Sequence, residues 1–178
     1  MYLYSFKGVK PSIHSSCYIA PGAQLIGKIT ILENSSVWHN CVLRGDVNTI
    51  NIGKNTNIQD LSMLHITENK ALNIGNNVTI GHSVTLHGCD IEDNALIGMG
   101  ATILDNARIG AYSIVAAGSV VSPGKSFPER SMIMGVPAKV VRVLTEKEIE
   151  MLDHHYLSYV KYAKEFNDPE IVKSLETF

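Results

Sequence analysis

Three histidines crowd one short stretch: His65 in Leu64-His65-Ile66-Thr67, His82 in Ile80-Gly81-His82-Ser83, and His87 in Leu86-His87-Gly88-Cys89. Imidazole nitrogens suit Zn²⁺, and also Co²⁺ or Fe²⁺. Three of them leave a fourth position for water or substrate. Cys89 could add a soft thiolate, but three imidazoles already suffice. All three cysteines, Cys17, Cys41 and Cys89, read better as small buried hydrophobes. Whether the imidazoles can meet depends on the chain that carries them.

That chain repeats every six residues. From Ile13 the stops are Ile19, Leu25, Ile31, Val37 and Leu43; from Ile91 they are Ile97, Ile103, Ile109, Val115 and Val121. Between them lie Ile52, Ile58, Leu64 and Ile74, Ile80, Leu86, with long steps before Ile52 and Ile74 and a short one before Ile91. Small residues (Ala95, Ala101, Ala107, Ser113, Ser119) sit two before the later stops, and Gly follows many stops. This period marks a parallel β-helix of hexapeptides, each one short strand and one corner. The stop and the small residue two before it point inward. Asn48, Asn51, Asn55, Asn57, Asn73, Asn76 and Asn77 are expected to relieve the corners. A sandwich of antiparallel strands would alternate without a fixed period.

Three hexapeptides per coil make a triangular prism, and the stops fill about six coils rising roughly 4.8 Å each. The prism is expected over 1–125, ending at Ser122-Pro123-Gly124-Lys125, with a connector over 126–144 and a helix and tail over 145–178. Thr145-Glu146-Lys147-Glu148 reads as a capping box. Ile149, Leu152, Tyr156, Tyr159, Val160, Ala163 and Phe166 then keep helical spacing until Asn167-Asp168-Pro169, so this helix should pack its apolar face on the prism. The tail after Pro169 is read only as room for a short second helix.

The 178 residues, 45% apolar, suit one domain with a sizeable core. A net charge of −2 and the lack of a long basic run argue against nucleic acid as partner. No apolar run approaches a membrane span. The start, Met1-Tyr2-Leu3-Tyr4-Ser5-Phe6-Lys7, lacks the pattern of a signal peptide. Three widely spaced cysteines form no disulfide framework, and a cytoplasmic placement is expected.

With the faces numbered in order, the third carries Leu25, Leu43, Leu64, Leu86, Ile103 and Val121. His65 and His87 each follow a third-face stop in successive coils, so they point outward and stack one rung apart. His82, two past Ile80, lies at the corner after the second face. It cannot comfortably reach an ion on the third-face flank of its own prism, but a neighbouring prism could offer it. Closed symmetry would repeat the site at every interface, and the spacing predicts a homotrimer with metal between subunits. By the same counting Arg44 stacks over His65, and Asp60 stacks beside His82, where it could accept its second N–H. Arg44 reads as an interface ion-pair partner, with Asp46. Gln59 and Asn57 could be corner residues with no further task. His14, His39, His154 and His155 fit no such geometry and read as surface or packing residues.

Val42-Leu43-Arg44-Gly45-Asp46-Val47-Asn48, Asn57-Ile58-Gln59-Asp60, Leu64-His65, Ile80-Gly81-His82, Leu86-His87-Gly88-Cys89, Gly98-Met99-Gly100-Ala101 and Gly135-Val136-Pro137-Ala138-Lys139 together resemble the γ-class carbonic anhydrases and their relatives among left-handed β-helix proteins. The resemblance covers nearly the whole chain. It implies the left-handed coil, whereas most β-crossovers are right-handed. It implies a trimer whose interface metal is held by His65 and His87 of one chain and His82 of the next, and an intersubunit Arg44–Asp46 ion pair. It places Gln59 beside the site with Asn57 and Asp60 nearby, and a helix tyrosine, Tyr159 ahead of Tyr162, close by. The implied reaction is reversible hydration of CO₂ to bicarbonate by hydroxide, the cation lowering the pKa of its water to about 7, with a proton relayed to solvent. The chain departs from the best-known archetype in having Val47 where a glutamate follows the position of Asp46, and a short Glu68-Asn69-Lys70-Ala71 in place of a long acidic loop. Glu68 falls at the offset of a proton shuttle.

Two rival readings share the prism. Hexapeptide acyltransferases resemble one another in using a single interface histidine as base, and relatives of the family include an acyl-CoA thioesterase; the three-histidine set favours hydration. The other rival is a non-catalytic metal-binding trimer, since a fold does not fix a function.

Overall fold

The computed structural model describes residues 2–173. The aliphatic stops stack in three parallel ladders. The third face runs Leu3, Leu25, Leu43, Leu64, Leu86, Ile103, Val121. The first runs Ile13, Ile31, Ile52, Ile74, Ile91, Ile109, Phe127. The second runs Ile19, Val37, Ile58, Ile80, Ile97, Val115, Ile133. Apart from the exposed Leu3, each ladder points its stops into one core. Full burial of such a side chain contributes roughly 1.5–3 kcal/mol. The result is a left-handed parallel β-helix of about seven turns with a C-terminal helix.

The expected six turns fall one short, for a reason visible in the ladders. Phe127 and Ile133 keep the period of six beyond Val121, and the expected terminator Pro123-Gly124 is only another corner, with Gly124 at φ +69°. Residues 126–144, read as a connector, therefore form strands Ser126–Phe127 and Ser131–Gly135 of the last turn. Strand Ala138–Val143 then folds back antiparallel on Ser131–Gly135. An aromatic stop and a proline corner concealed the repeat.

The corners also differ from expectation. Asn55 and Asn77 do take positive φ, joined by Asn34 and Asn94 in the same column. Their side chains bond in series, Asn34 to Asn55 at 3.2 Å, Asn55 to Asn77 at 2.9 Å and Asn77 to Asn94 at 3.0 Å. Asn48, Asn51, Asn57 and Asn73 lie in strands instead. Inward hydroxyls are satisfied across coils: Ser35 donates to the Gly53 carbonyl and Thr56 to that of Gly75, at 2.6 and 2.7 Å. Cys41 and Cys89 occupy equivalent inward positions and are wholly buried, so Cys89 cannot face an ion held outside the prism. Burial pushes the Cys41 thiol up to about 12.

The helix Glu146–Phe166 opens on the expected capping box, Thr145 accepting from the Glu148 amide and the Glu148 carboxylate from the Thr145 amide. Ile149 and Leu152 pack beside Leu96, Ile114 and Met132 of the later coils, while Tyr159 and Ala163 pack on Tyr18 and Trp38 of the first. The helix thus covers the second face and runs back down the prism. No helix among the described residues is long and apolar enough to cross a membrane. Glu170 and Ile171 form turns; a second helix beyond Lys173 lies outside the described residues.

Candidate metal centre

Ladder register sets His65 directly against His87 on the third face, because Leu64 pairs with Leu86. The His65 Nδ1 lies 3.0 Å from His87 Nε2. Their outer nitrogens are held from behind: His65 Nε2 lies 3.1 Å from Asp46 Oδ1, and His87 Nδ1 bonds Asp105 Oδ1. An ionised carboxylate only accepts, so both outer nitrogens carry the protons. The two inner nitrogens then turn lone pairs toward one another, a contact that a shared proton or a cation relieves. Two ligands on one tetrahedral zinc stand about 3.3 Å apart, given bonds of 2.0–2.1 Å. The donor set therefore fits half of a metal site, with a carboxylate behind each imidazole as metal-ligating histidines require.

Asp46 does more than orient His65. Arg44 pairs with Asp46 within the chain. Burial works against ionisation of Asp46, but hydrogen bonds from His65 and Arg44 outweigh it and hold the carboxyl below its usual range.

His82 stands apart from this pair. Among the described residues no three His, Cys, Asp or Glu side chains are grouped to hold an ion. Its Nδ1 lies 2.9 Å from Asp60 Oδ2, the expected orienting contact, and its side chain is 41% exposed against 17% for His65 and 28% for His87. The other oxygen of Asp60 is taken by His39, through its backbone amide at 3.1 Å and its ring at 3.2 Å. Sequence reasoning read His39 as a surface or packing residue and did not single out Asp105. Counting the histidine column one rung further reaches Leu104; Asp105 lies one residue beyond it, two past Ile103, so stacking alone does not find it.

Asn57 and Gln59 flank Ile58 on the outer side of the second face, beneath the helix, and are almost fully buried. Asn57 is a strand residue, and Gln59 follows directly on the strand, before the turn that begins at Asp60. Gln59 Nε2 donates to Asn57 Oδ1 at 3.1 Å, and Asn57 Nδ2 to Thr79 Oγ1 at 2.9 Å. Tyr159 lines the same groove as Gln59; burial raises its pKa, and the charge of Asp60 adds to the rise. Tyr162 is exposed. Tyr159, Gln59, Thr79, Met99 and His155 line a groove of about 320 Å³ between helix and prism, at the corner that carries His82. Glu68 lies elsewhere. Its backbone carbonyl accepts from Asn48 at 3.0 Å, and it shares a hollow of about 280 Å³ with Asp46 and Asn48. The chain therefore gathers the candidate residues at two corners, His65, His87 and Glu68 around one and His82, Gln59 and Tyr159 around the other.

Comparison with known proteins places the chain in a family. Residues 88–123 match the model of the bacterial transferase hexapeptide repeat. The chain is 45% identical over 165 residues to the carbonic anhydrase of Geobacillus kaustophilus, covering 91% of each. It is 41% identical over 160 residues to the mitochondrial γ carbonic anhydrase 2 of Arabidopsis thaliana, covering 86% of this chain and only 58% of the longer plant protein. The crystal structure of a hexapeptide transferase family protein from Anaplasma phagocytophilum superposes with a TM-score of 0.86 at 39% identity, covering 92% of this chain and 96% of that one. The chain belongs to the γ-class carbonic anhydrase-like family of left-handed hexapeptide β-helix proteins.

Proposed function

We propose that this protein is a γ-type carbonic anhydrase, catalysing reversible hydration of CO₂ to bicarbonate at divalent-cation sites between the subunits of a homotrimer. The observation that carries the reading is the His65–His87 pair, whose inner nitrogens converge at 3.0 Å with a carboxylate behind each ring. His65 and His87 of one subunit would hold the ion with His82 of the next. His82 is aimed by Asp60 and is the most exposed of the three. Zinc is the first choice, with cobalt or iron equally served by imidazole. When bound, the cation supplies Lewis acidity that brings the pKa of water toward neutrality.

The chain's own residues do the rest. Gln59, fixed by Asn57 and Thr79, presents a polar group that cannot swing away, and Tyr159 closes the groove above it. The apolar groove wall of Leu96, Ile97 and Met99 admits an uncharged substrate such as CO₂ more readily than bicarbonate. Glu68, exposed beside Asp46, offers a proton acceptor at the other corner. Three free thiols suit a reducing compartment, consistent with a cytoplasmic placement.

The test is stopped-flow CO₂ hydration on protein of measured metal content and measured mass in solution, beside His65→Ala. About one metal per chain, a trimeric mass and turnover lost in the variant are expected. Full metal occupancy without turnover sinks the assignment. Acyl-CoA hydrolysis and acetyl transfer on the same sample then decide whether the transferase likeness describes the activity, and silence in every assay leaves a metal-binding trimer.

A further inference from the structure

His155 is unused by the chemistry described so far, yet its position is unusual. It lines the groove that holds Gln59 and Tyr159, and it also lines a second, open hollow on the outer side of the helix with Lys147, Glu150, Met151, His154 and Ser158. One imidazole therefore borders both the candidate active groove and an open surface hollow. Its ring centre is 6.2 Å from that of Tyr159, one helical turn away.

The geometry points to His155 as the proton-relay residue of the hydration reaction, taking protons from the groove and releasing them through the outer hollow. The inference rests on the proposed carbonic anhydrase reading and adds to it a proton route at the groove corner, separate from Glu68 at the other corner. The balance is simple. CO₂ and water give bicarbonate and one proton. Neutral His155 accepts that proton at one ring nitrogen, becoming imidazolium. It then loses a proton from the other nitrogen to a buffer base, which restores neutral imidazole. A groove of about 320 Å³ has room for a chain of waters, each occupying about 30 Å³, between the reacting centre and the ring.

Electrostatics favour the neutral, accepting form. Burial lowers the pKa of His155. The groove wall facing it from the prism, Leu96, Gly98, Met99 and Ala117, carries no charge, and Tyr159 is the titratable neighbour on the groove side. On the outer side Lys147, Glu150 and His154 share the hollow, and Asp153 is engaged by the Tyr112 hydroxyl at 3.0 Å. A neutral imidazole can accept a proton at one nitrogen and release one from the other.

The experiment compares wild type, His155→Ala and His155→Gln at equal metal content, by stopped-flow hydration in weak buffer and by ¹⁸O exchange between CO₂ and bicarbonate at chemical equilibrium. Expected is a fall in kcat of about tenfold or more in weak buffer, with kcat/KM and the exchange rate of CO₂ and bicarbonate unchanged and kcat restored by added free imidazole. A second readout needs no turnover: NMR titration of the metal-free protein should place the His155 ring below the ordinary imidazole value. Active wild type with unchanged kcat in both variants overturns the relay alone. An equal fall in kcat/KM, or a ring titrating above the ordinary value, also overturns it. Metal-replete wild type without hydration overturns the carbonic anhydrase reading and the relay together.

Discussion

The carboxylate behind His87 should control how tightly the site holds metal, and Asp105 is the cleanest place to test it. His87 Nδ1 donates to Asp105, which fixes the ring with Nε2 turned toward His65 Nδ1 at 3.0 Å. In Asp105→Ala the ring loses that anchor, and both tautomers and both ring flips become accessible to it. Removing such an outer partner costs about 10–100-fold in metal affinity, or about 1.4–2.7 kcal/mol. Asp105→Asn keeps an accepting oxygen but not the charge, and charged hydrogen bonds are about twice as strong as neutral ones. Half the free energy should therefore survive, a loss of about 3–10-fold. The assay is competition for Zn²⁺ or Co²⁺ against a chromophoric chelator at one pH, with the metal-free proteins compared by circular dichroism. An unchanged affinity in the alanine variant, or an asparagine variant as weak as alanine, would refute the orienting role.

Three further outcomes follow from the prism itself. Asn77 combines a positive φ of 58° with side-chain bonds to Asn55 and Asn94. Asn77→Gly should lose about 1–3 kcal/mol with the two bonds, and Asn77→Ala about 1 kcal/mol more from backbone strain; equal urea midpoints at one protein concentration would contradict this. At Gly98 an added Cβ would stand 2.5 Å from the Ala117 nitrogen and 2.8 Å from the Val115 oxygen, both backbone. Gly98→Ala should cost about 1–3 kcal/mol by forcing adjacent coils apart, read by thermal unfolding at fixed concentration. The Cys41 thiol rises from 9.0 to about 12 on folding because it is buried. Above 9.0 the unfolded chain sheds this proton while the folded chain keeps it, so the contribution is intact below 9.0 and is lost as pH rises through about 12. Cys41→Ala should flatten that alkaline decline in urea midpoint, and an unchanged slope would remove Cys41 as its source.

The amino-acid sequence by itself determined the prism, because a period of six is a backbone property. Once each stop faces inward, every sixth residue must stack on the same ladder, and Leu64 must meet Leu86. That register alone carries His65 onto His87 and Asp60 onto His82. It failed where the stop was an aromatic, at Phe127, and so missed the last turn. Only the tertiary structure decided which atoms touch. Rotamers choose that Arg44 closes on Asp46 within its own chain, that Asp46 and Asp105 back the two imidazoles, and that Asp60 also grips His39. The docking of the helix on the second face decides that Tyr159 shares a groove with Gln59 and that His155 borders both that groove and the outer hollow. Helical spacing shows that the helix has an apolar face, but the rung on which each of its side chains lands depends on packing against Trp38, Leu96 and Ile114, residues far away in sequence.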